Sequence, residues 1–461
     1  MHAHPDVVIL GAGFAGLACA TALAGAGARV TVLEASGTPG GRGGSFREPR
    51  TGEILDLGPH LLVGANRDAR ALLERLGTLE RLEFQRSLNI EYRWRGDRRS
   101  RLSCPPLPAP FHLAAGLLRF QALPLSERAA AVRIGRAVRR IEKTPGRFTA
   151  SPSPQNGQCP TPEETVTQWL KRLRQGEHAR HLLWEPLATA ALNDHPGRAS
   201  AFLFARVLAE VFSGGPRDSA LGWPRGALGD LLKPADRWLE QRGGSLLYSS
   251  PAAGLVWKGS HVQEVRLRGG GSVRSDQVVS ALPARALLPL LADAPASVGQ
   301  LRDDCRLFAP RTLPILSVYF WSERRLLGTP FCALPEEEFP WIFERRALAE
   351  GSRGSWILAL TLGGAQAWMN RPEAAILEAS RRQMEGLFPG SERDLWHARV
   401  VRQPEATFEP APDLCLRRPG PGTPADNLWL AGDWTNTGLP STLEGAARSG
   451  HIAARALESR A

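Results

Sequence analysis

A strand-like run, Val7-Val8-Ile9-Leu10, leads into Gly11-Ala12-Gly13-Phe14-Ala15-Gly16 and then into a helix-forming stretch from Leu17 to Gly25. Glycines at this spacing, between a strand and a helix, suit the pyrophosphate of a dinucleotide. Gly11 permits the tight turn, Gly13 lets the backbone approach a phosphate, and Gly16 lets helix and strand pack closely. The N–H groups at the helix start, those of Phe14 and Ala15 among them, then face the anion, and the helix dipole reinforces the attraction. A second strand, Arg29 to Leu33, ends at Glu34, followed by Ala35. A carboxylate at that point accepts the adenosine ribose hydroxyls and repels a 2′-phosphate, which disfavours NADP.

A second glycine-rich turn, Gly40-Gly41-Arg42-Gly43-Gly44-Ser45, follows at once and separates FAD from NAD. It brings further backbone N–H groups and one permanently charged, planar guanidinium against the same cofactor. Near the other end, Asn427 to Leu430 reads as a buried strand running into Ala431-Gly432-Asp433-Trp434, and Leu443-Glu444-Gly445-Ala446 opens a final helix. Asp433 is placed to bind the ribityl or pyrophosphate region. The helix start near Leu443, Gly445 and Ala446 is placed to stabilise negative charge on a reduced isoalloxazine.

Together, Gly11 to Gly44, Asp56-Leu57-Gly58-Pro59-His60 and Leu430 to Gly450 resemble the FAD-dependent amine oxidase and phytoene desaturase superfamily. Three stretches look closer to one branch, the hydroxysqualene dehydroxylases. They are Leu183-Trp184-Glu185-Pro186-Leu187 with Ala190-Ala191-Leu192-Asn193, the Pro-rich Leu102 to Leu118, and Leu430 to Pro440. The resemblance implies an α/β fold: a discontinuous Rossmann-like FAD-binding domain of amine oxidase/glutathione reductase type, with an α+β substrate domain. It implies FAD contacts at Gly58, Pro59 and His60, and an adenine contact near Ala252, where relatives often carry valine.

The elements that position these residues follow from hydrophobic patterning. Residues 1–66, 235–285 and 420–461 are assigned to FAD binding, with strands at Ser245 to Tyr248, Val262 to Leu267 and Gln277 to Ala281. Residues 67–234 read as mostly helical, at Asp68 to Leu76, Arg128 to Arg140, Pro162 to Leu183 and Ala199 to Phe212. Thr161 and Glu164 are spaced as a capping box for the third of these, with Pro162 at its first position. Pro145 to Pro160 reads as a polar linker. Residues 286–419 alternate like sheet at Ile315 to Trp321, Trp341 to Glu344 and Trp356 to Leu362, and then supply a helix from Pro372 to Leu387.

With 461 residues, 43% of them apolar, the chain is long enough for two or three domains and excludes a disordered or disulfide-scaffold protein. The six cysteines show no CxxC spacing, which points to a reducing compartment and away from a metal site. His178 and His181 lie three apart with no third ligand spaced to join them. The net charge of +11 comes almost entirely from arginine, with lysine only at 143, 171, 233 and 258. The run from Arg93 to Arg101 belongs to no nucleic-acid recognition module, so solvent or a phospholipid surface is the expected neighbour. The strand-like segment at Val7 leaves no room for a signal peptide, and no run reaches the ~18 apolar residues of a spanning helix. A cytoplasmic location is expected, peripheral on the inner membrane face.

Residues 102–118 contain no Lys, Arg, Asp or Glu, and their prolines delay any helix until Phe111. The short apolar helix from Phe111 to Phe120, flanked by arginines, suits an interfacial anchor or a lid, and either implies an apolar entrance. In the resembling branch a polyprenyl alcohol loses its hydroxyl and accepts hydride from reduced flavin, giving squalene for hopanoid synthesis. That reaction needs an unidentified electron donor, a proton for the departing hydroxyl and a dry pocket. Glu185, Asp194 and His60 are the candidate acids, and Asn193 a candidate orienter of the hydroxyl. The alternatives are a carotenoid desaturase working in the opposite redox direction, an amine oxidase, and a polyprene-binding scaffold. Amine oxidation fits less well, because no lysine follows Lys258 to hold a water at the flavin.

Overall fold

The computed structural model describes residues 6–142, 159–212 and 214–460. All but the last two residues of the expected linker at 145–160 lie outside these. Five parallel strands form the sheet that carries the glycine turns, in the order Ser245–Leu247, Val30–Leu33, Val7–Leu10, Gln277–Ser280, Leu428–Leu430. All four residues of Val7–Leu10 are buried, as a parallel strand covered on both faces requires. Its strands come from three separated stretches of chain, in keeping with the α/β class expected from the sequence.

Helix Phe14–Gly25 covers this sheet and packs along helix Leu443–Glu458. The contact depends on Gly450: a Cβ there would sit 2.1 Å from the Ala15 carbonyl oxygen. A Cβ on Gly16 would likewise lie 1.9 Å from the Gly11 carbonyl, so the helix approaches the turn below it as closely as backbone allows.

The second sheet has seven strands, in the order Leu395–Phe408, Thr312–Ser322, Trp356–Gly363, Trp341–Arg346, Phe331–Ala333, Asn89–Arg93, Arg99–Ser103. Its last two members form a hairpin that the mostly helical reading of 67–234 does not contain. The arginine run is a hairpin turning at Gly96-Asp97, in which Ile90, Tyr92 and Leu102 point into the core. Arginines on the solvent face hide that alternation from a reading by charge.

A further correction concerns Pro162 to Leu183. Helix Val166–Arg172 starts four residues later than its expected first position, Pro162, because Thr165 and Gln168 form the capping box. Glu164 still accepts the Thr161 N–H at 3.2 Å, and it also holds the Arg172 guanidinium, at 2.6 Å and 2.7 Å. The helix stops after Arg172 and another starts at Glu177, and Arg180–Trp184 is wound as a π-helix before Glu185–Leu192. Trp169 and Phe204 meet edge to face, with ring centroids 6.4 Å apart, in the buried centre of this helical part.

Candidate active site

The first glycine turn and Glu34 are joined directly. One Glu34 oxygen accepts the Ala12 N–H at 2.8 Å, and the other accepts the N–H and hydroxyl of Ser36, both at 2.8 Å. Gly11 has φ +98° and so needs glycine. Gly13 opens the helix with no side-chain cap, and a Cβ built on it would meet nothing closer than the Gly40 carbonyl at 3.8 Å. Open space therefore lies where a pyrophosphate is expected, at the start of a helix whose first-turn N–H groups have no partner within the helix itself. The Glu34 carbonyl accepts the Ser250 N–H at 2.8 Å, which brings the strand opening at Ala252 to the ribose end. Ala35 is exposed beside it.

The second turn docks on the first, since Gly40 N–H donates to the Ala12 carbonyl at 2.9 Å. Arg42 then ion-pairs with Asp433, which also accepts the Ser441 hydroxyl. Burial alone would raise the Asp433 carboxyl, but the Arg42 charge, the hydrogen bonds from Arg42 and Ser441 and the nearby Arg418 hold it below the usual carboxylate range. Gly41 and Arg42 belong to one short helical turn, and a Cβ on Gly43 would be 3.0 Å from Leu443 and 3.4 Å from Phe14. The last helix starts here: the Thr442 hydroxyl caps it by accepting the Gly445 N–H at 3.0 Å, and Ala446 N–H donates to the Thr442 carbonyl.

Arg418 is the main residue that motif reading missed. It is buried, and it donates to the carbonyls of Leu439 at 2.6 Å and Asp433 at 2.5 Å and to the Thr437 hydroxyl at 3.1 Å. Its guanidinium also lies over the Phe408 ring, 4.8 Å from the centroid. Burial lowers it to about 10, so it stays charged and ties down the Gly432–Leu439 loop. Asp56, at the head of the Asp56–His60 motif, is a second such residue. Its carboxylate accepts the Ser45 hydroxyl at 2.6 Å and the Leu228 N–H at 2.8 Å, and burial pushes it up to about 6.

The candidate acids are in different situations. His60 follows Gly58-Pro59, and its Nδ1 is buried without a partner; burial pushes it down to about 4, which keeps it neutral near pH 7. Ser280 Oγ and Asn436 Oδ1, at the ends of two segments around the turns, are also buried without partners. Such orphaned polar atoms fit a ligand with oxygens and nitrogens to offer. Glu185 faces His181 at 2.9 Å, with Arg180 at 4.0 Å. Asn193 ends its helix in the left-handed region, with φ +56°. Its amide donates to the Thr407 hydroxyl at 2.8 Å and weakly, at 3.4 Å, to the Leu313 and Pro314 carbonyls, and it accepts the Gly364 N–H at 2.9 Å. Those bonds fix the helical part to the sheet, and they correct Asn193 as a free orienter of hydroxyls. Asp194 is fully buried; one oxygen holds Arg198 at 2.6 Å and the other has no partner.

Strand, turn, helix and carboxylate at one end, with an Asp–Arg pair and a second helix start at the other, define a flavoprotein oxidoreductase. Residues 14–457 match the profile of the family described as flavin containing amine oxidoreductase. The chain is 28% identical to hydroxysqualene dehydroxylase from Sinorhizobium fredii, over 97% of each chain. It is 25% identical to 15-cis-phytoene desaturase from Synechococcus elongatus, over 98% of this chain and 96% of that one. A crystal structure of an oxidoreductase from Methanosarcina mazei shares the fold, with TM-score 0.74 at 15% identity, over 98% of this chain and 99% of that one. The chain belongs to the flavin containing amine oxidoreductase family, and FAD is its cofactor.

Proposed function

We propose that the chain is an FAD-dependent oxidoreductase of polyprenes and, within that class, a hydroxysqualene dehydroxylase that supplies squalene for hopanoid synthesis. The end-to-end likeness to such an enzyme carries the reading. In the reaction the allylic C–O bond breaks, the hydroxyl takes a proton and leaves as water, and a hydride fills the vacated carbon. When bound and reduced by an external donor, FAD supplies that hydride. The chain's own residues bind and orient: Gly13 and the helix start hold the pyrophosphate, Glu34 the ribose, and Arg42 with Asp433 the centre of the cofactor. The orphaned Asp194 oxygen and His60 Nδ1 are the proposed polar contacts for the departing hydroxyl.

A location at the cytoplasmic membrane face is proposed with it. Leu107, Phe111, Leu118 and Leu125 are four of the seven large apolar side chains exposed among the described residues, and all lie between 107 and 125. No described helix is long and apolar enough to cross a membrane. The likeness to a phytoene desaturase supports a second reading, hydrogen removal from a polyprene. Anaerobic incubation of reduced holoprotein with hydroxysqualene, followed by mass spectrometry of the extracted lipid, is expected to yield squalene. Unchanged alcohol would overturn the first reading. Phytoene incubated with oxidised holoprotein and a quinone tests the second, through loss of two hydrogens.

A further inference from the structure

Helix Phe111–Arg119 is inverted in character. Its inner face carries His112, Gly116 and Leu117, all buried, while Phe111 and Leu118, 63% and 50% exposed, look outward one heptad apart. Gly116 lets it lie flat on the hairpin, since a Cβ there would be 2.5 Å from the Cys104 sulfur. Beside it opens a cleft of about 350 Å³ lined by Ser100, Arg101, Ser103, Pro105, Arg119 and Gln121. Arg101 is already paired with Glu91. The side chains of Arg119, Ser100, Ser103 and Gln121 have no hydrogen-bond or ion-pair partner among the described residues. Arg128 donates to the Leu118 and Leu123 carbonyls, which offsets the negative end of the helix next to the cleft.

We infer that this cleft takes the phosphate of an anionic phospholipid headgroup, while Phe111 and Leu118 enter the acyl layer of the same leaflet. A planar, unpaired guanidinium with two hydroxyls and an amide is a donor set for phosphate oxygens. An apolar face continuous with it makes a bilayer, rather than a free ion, the source. The inference rests on the membrane-surface reading above and is independent of the substrate.

Cosedimentation of holoprotein with vesicles of phosphatidylcholine, alone or mixed with phosphatidylglycerol, tests it. Expected are tighter binding to the mixed vesicles and a loss of about five-fold on them for Arg119→Gln, with little change on phosphatidylcholine alone. Arg455→Gln removes the same charge from an exposed site on the last helix, away from the cleft; an equal loss for both variants would reduce the effect to net charge and overturn the site. Release by inorganic phosphate at matched ionic strength would also overturn it, in favour of a free-phosphate site. If Leu118→Ser weakens binding to both compositions and Arg119→Gln to neither, the membrane reading stands and the headgroup site falls. Absence of binding to either composition removes the membrane reading itself. Thermal melting of each variant identifies any that is misfolded.

Discussion

Arg42 and Asp433, 391 residues apart in sequence, form an ion pair at the point where the second glycine turn meets the start of the last helix. Asp433 is buried while Arg42 is one-third exposed, so the pair joins the core to the cofactor face. The acid sits between two cations, with Arg418 bound to its backbone carbonyl.

Asp433→Asn leaves both guanidinium groups without their counter-charge. Breaking a buried pair from one side costs about 3–5 kcal/mol. The purified variant is expected to melt well below the parent and to carry less flavin per chain, read from the ratio of visible to ultraviolet absorbance. Parent-like flavin content would show that the pair does not organise the cofactor site.

Arg418→Lys keeps the charge but loses the fork that reaches Leu439, Asp433 and Thr437 together. An expected loss of about 2–4 kcal/mol follows from buried carbonyls left unpaired. Denaturant unfolding measures it, and greater proteolytic sensitivity in the Gly432–Leu439 loop should accompany it.

Gly450→Ala places a methyl group inside the contact between the first and last helices. Overpacking of this kind costs about 1–3 kcal/mol. Because one helix presents phosphate donors and the other faces the opposite end of the cofactor, flavin affinity is expected to fall along with the melting temperature. A change in stability alone, with flavin affinity intact, would separate the packing from the site.

His60 provides a pH test with a definite sign. Its folded value, about 4, is below that of an unfolded histidine, ~6.5, so the folded state binds fewer protons between the two. Its contribution to stability is complete above the unfolded value and is lost as pH falls through that window. His60→Gln should flatten the acid limb of the stability profile there. An unchanged limb would assign it to other groups.

Asp56 has the opposite sign. Its folded value, raised by burial to about 6, exceeds the ordinary one of about 3.9, so stability from this group falls as pH rises between them. Asp56→Asn keeps an acceptor for Ser45 and Leu228 but carries no charge. Its melting advantage over the parent should be absent in acid and reach its full size only above the raised value.

The strand, the paired glycine turns, Glu34 and Asp433 were legible in the sequence because each function is met by residues close together in the chain, where spacing is visible. Arg418 was not: its partners lie 15 to 21 residues away in sequence, in a loop whose shape exists only once folded. Asn193 looked like a polar group next to an acid, and only the αL turn shows its amide bridging a helix and a sheet. The hairpin of 89–103 is obscured because arginines crowd its turn and second strand, so charge hides the apolar alternation of Ile90, Tyr92 and Leu102 beneath.

The edge position of strand Leu428–Leu430 in the five-stranded sheet has a consequence during synthesis. At roughly 10 residues per second, the ribosome takes on the order of 40 s to travel from the first glycine turn to Asp433. Until that edge strand emerges, strand Gln277–Ser280 lacks its outer neighbour, and the first helix lacks the partner that Gly450 brings against it. The nascent chain therefore waits with apolar surface uncovered, and newly made protein should depend on chaperones and on flavin supply together, since cofactor and last helix close the same gap.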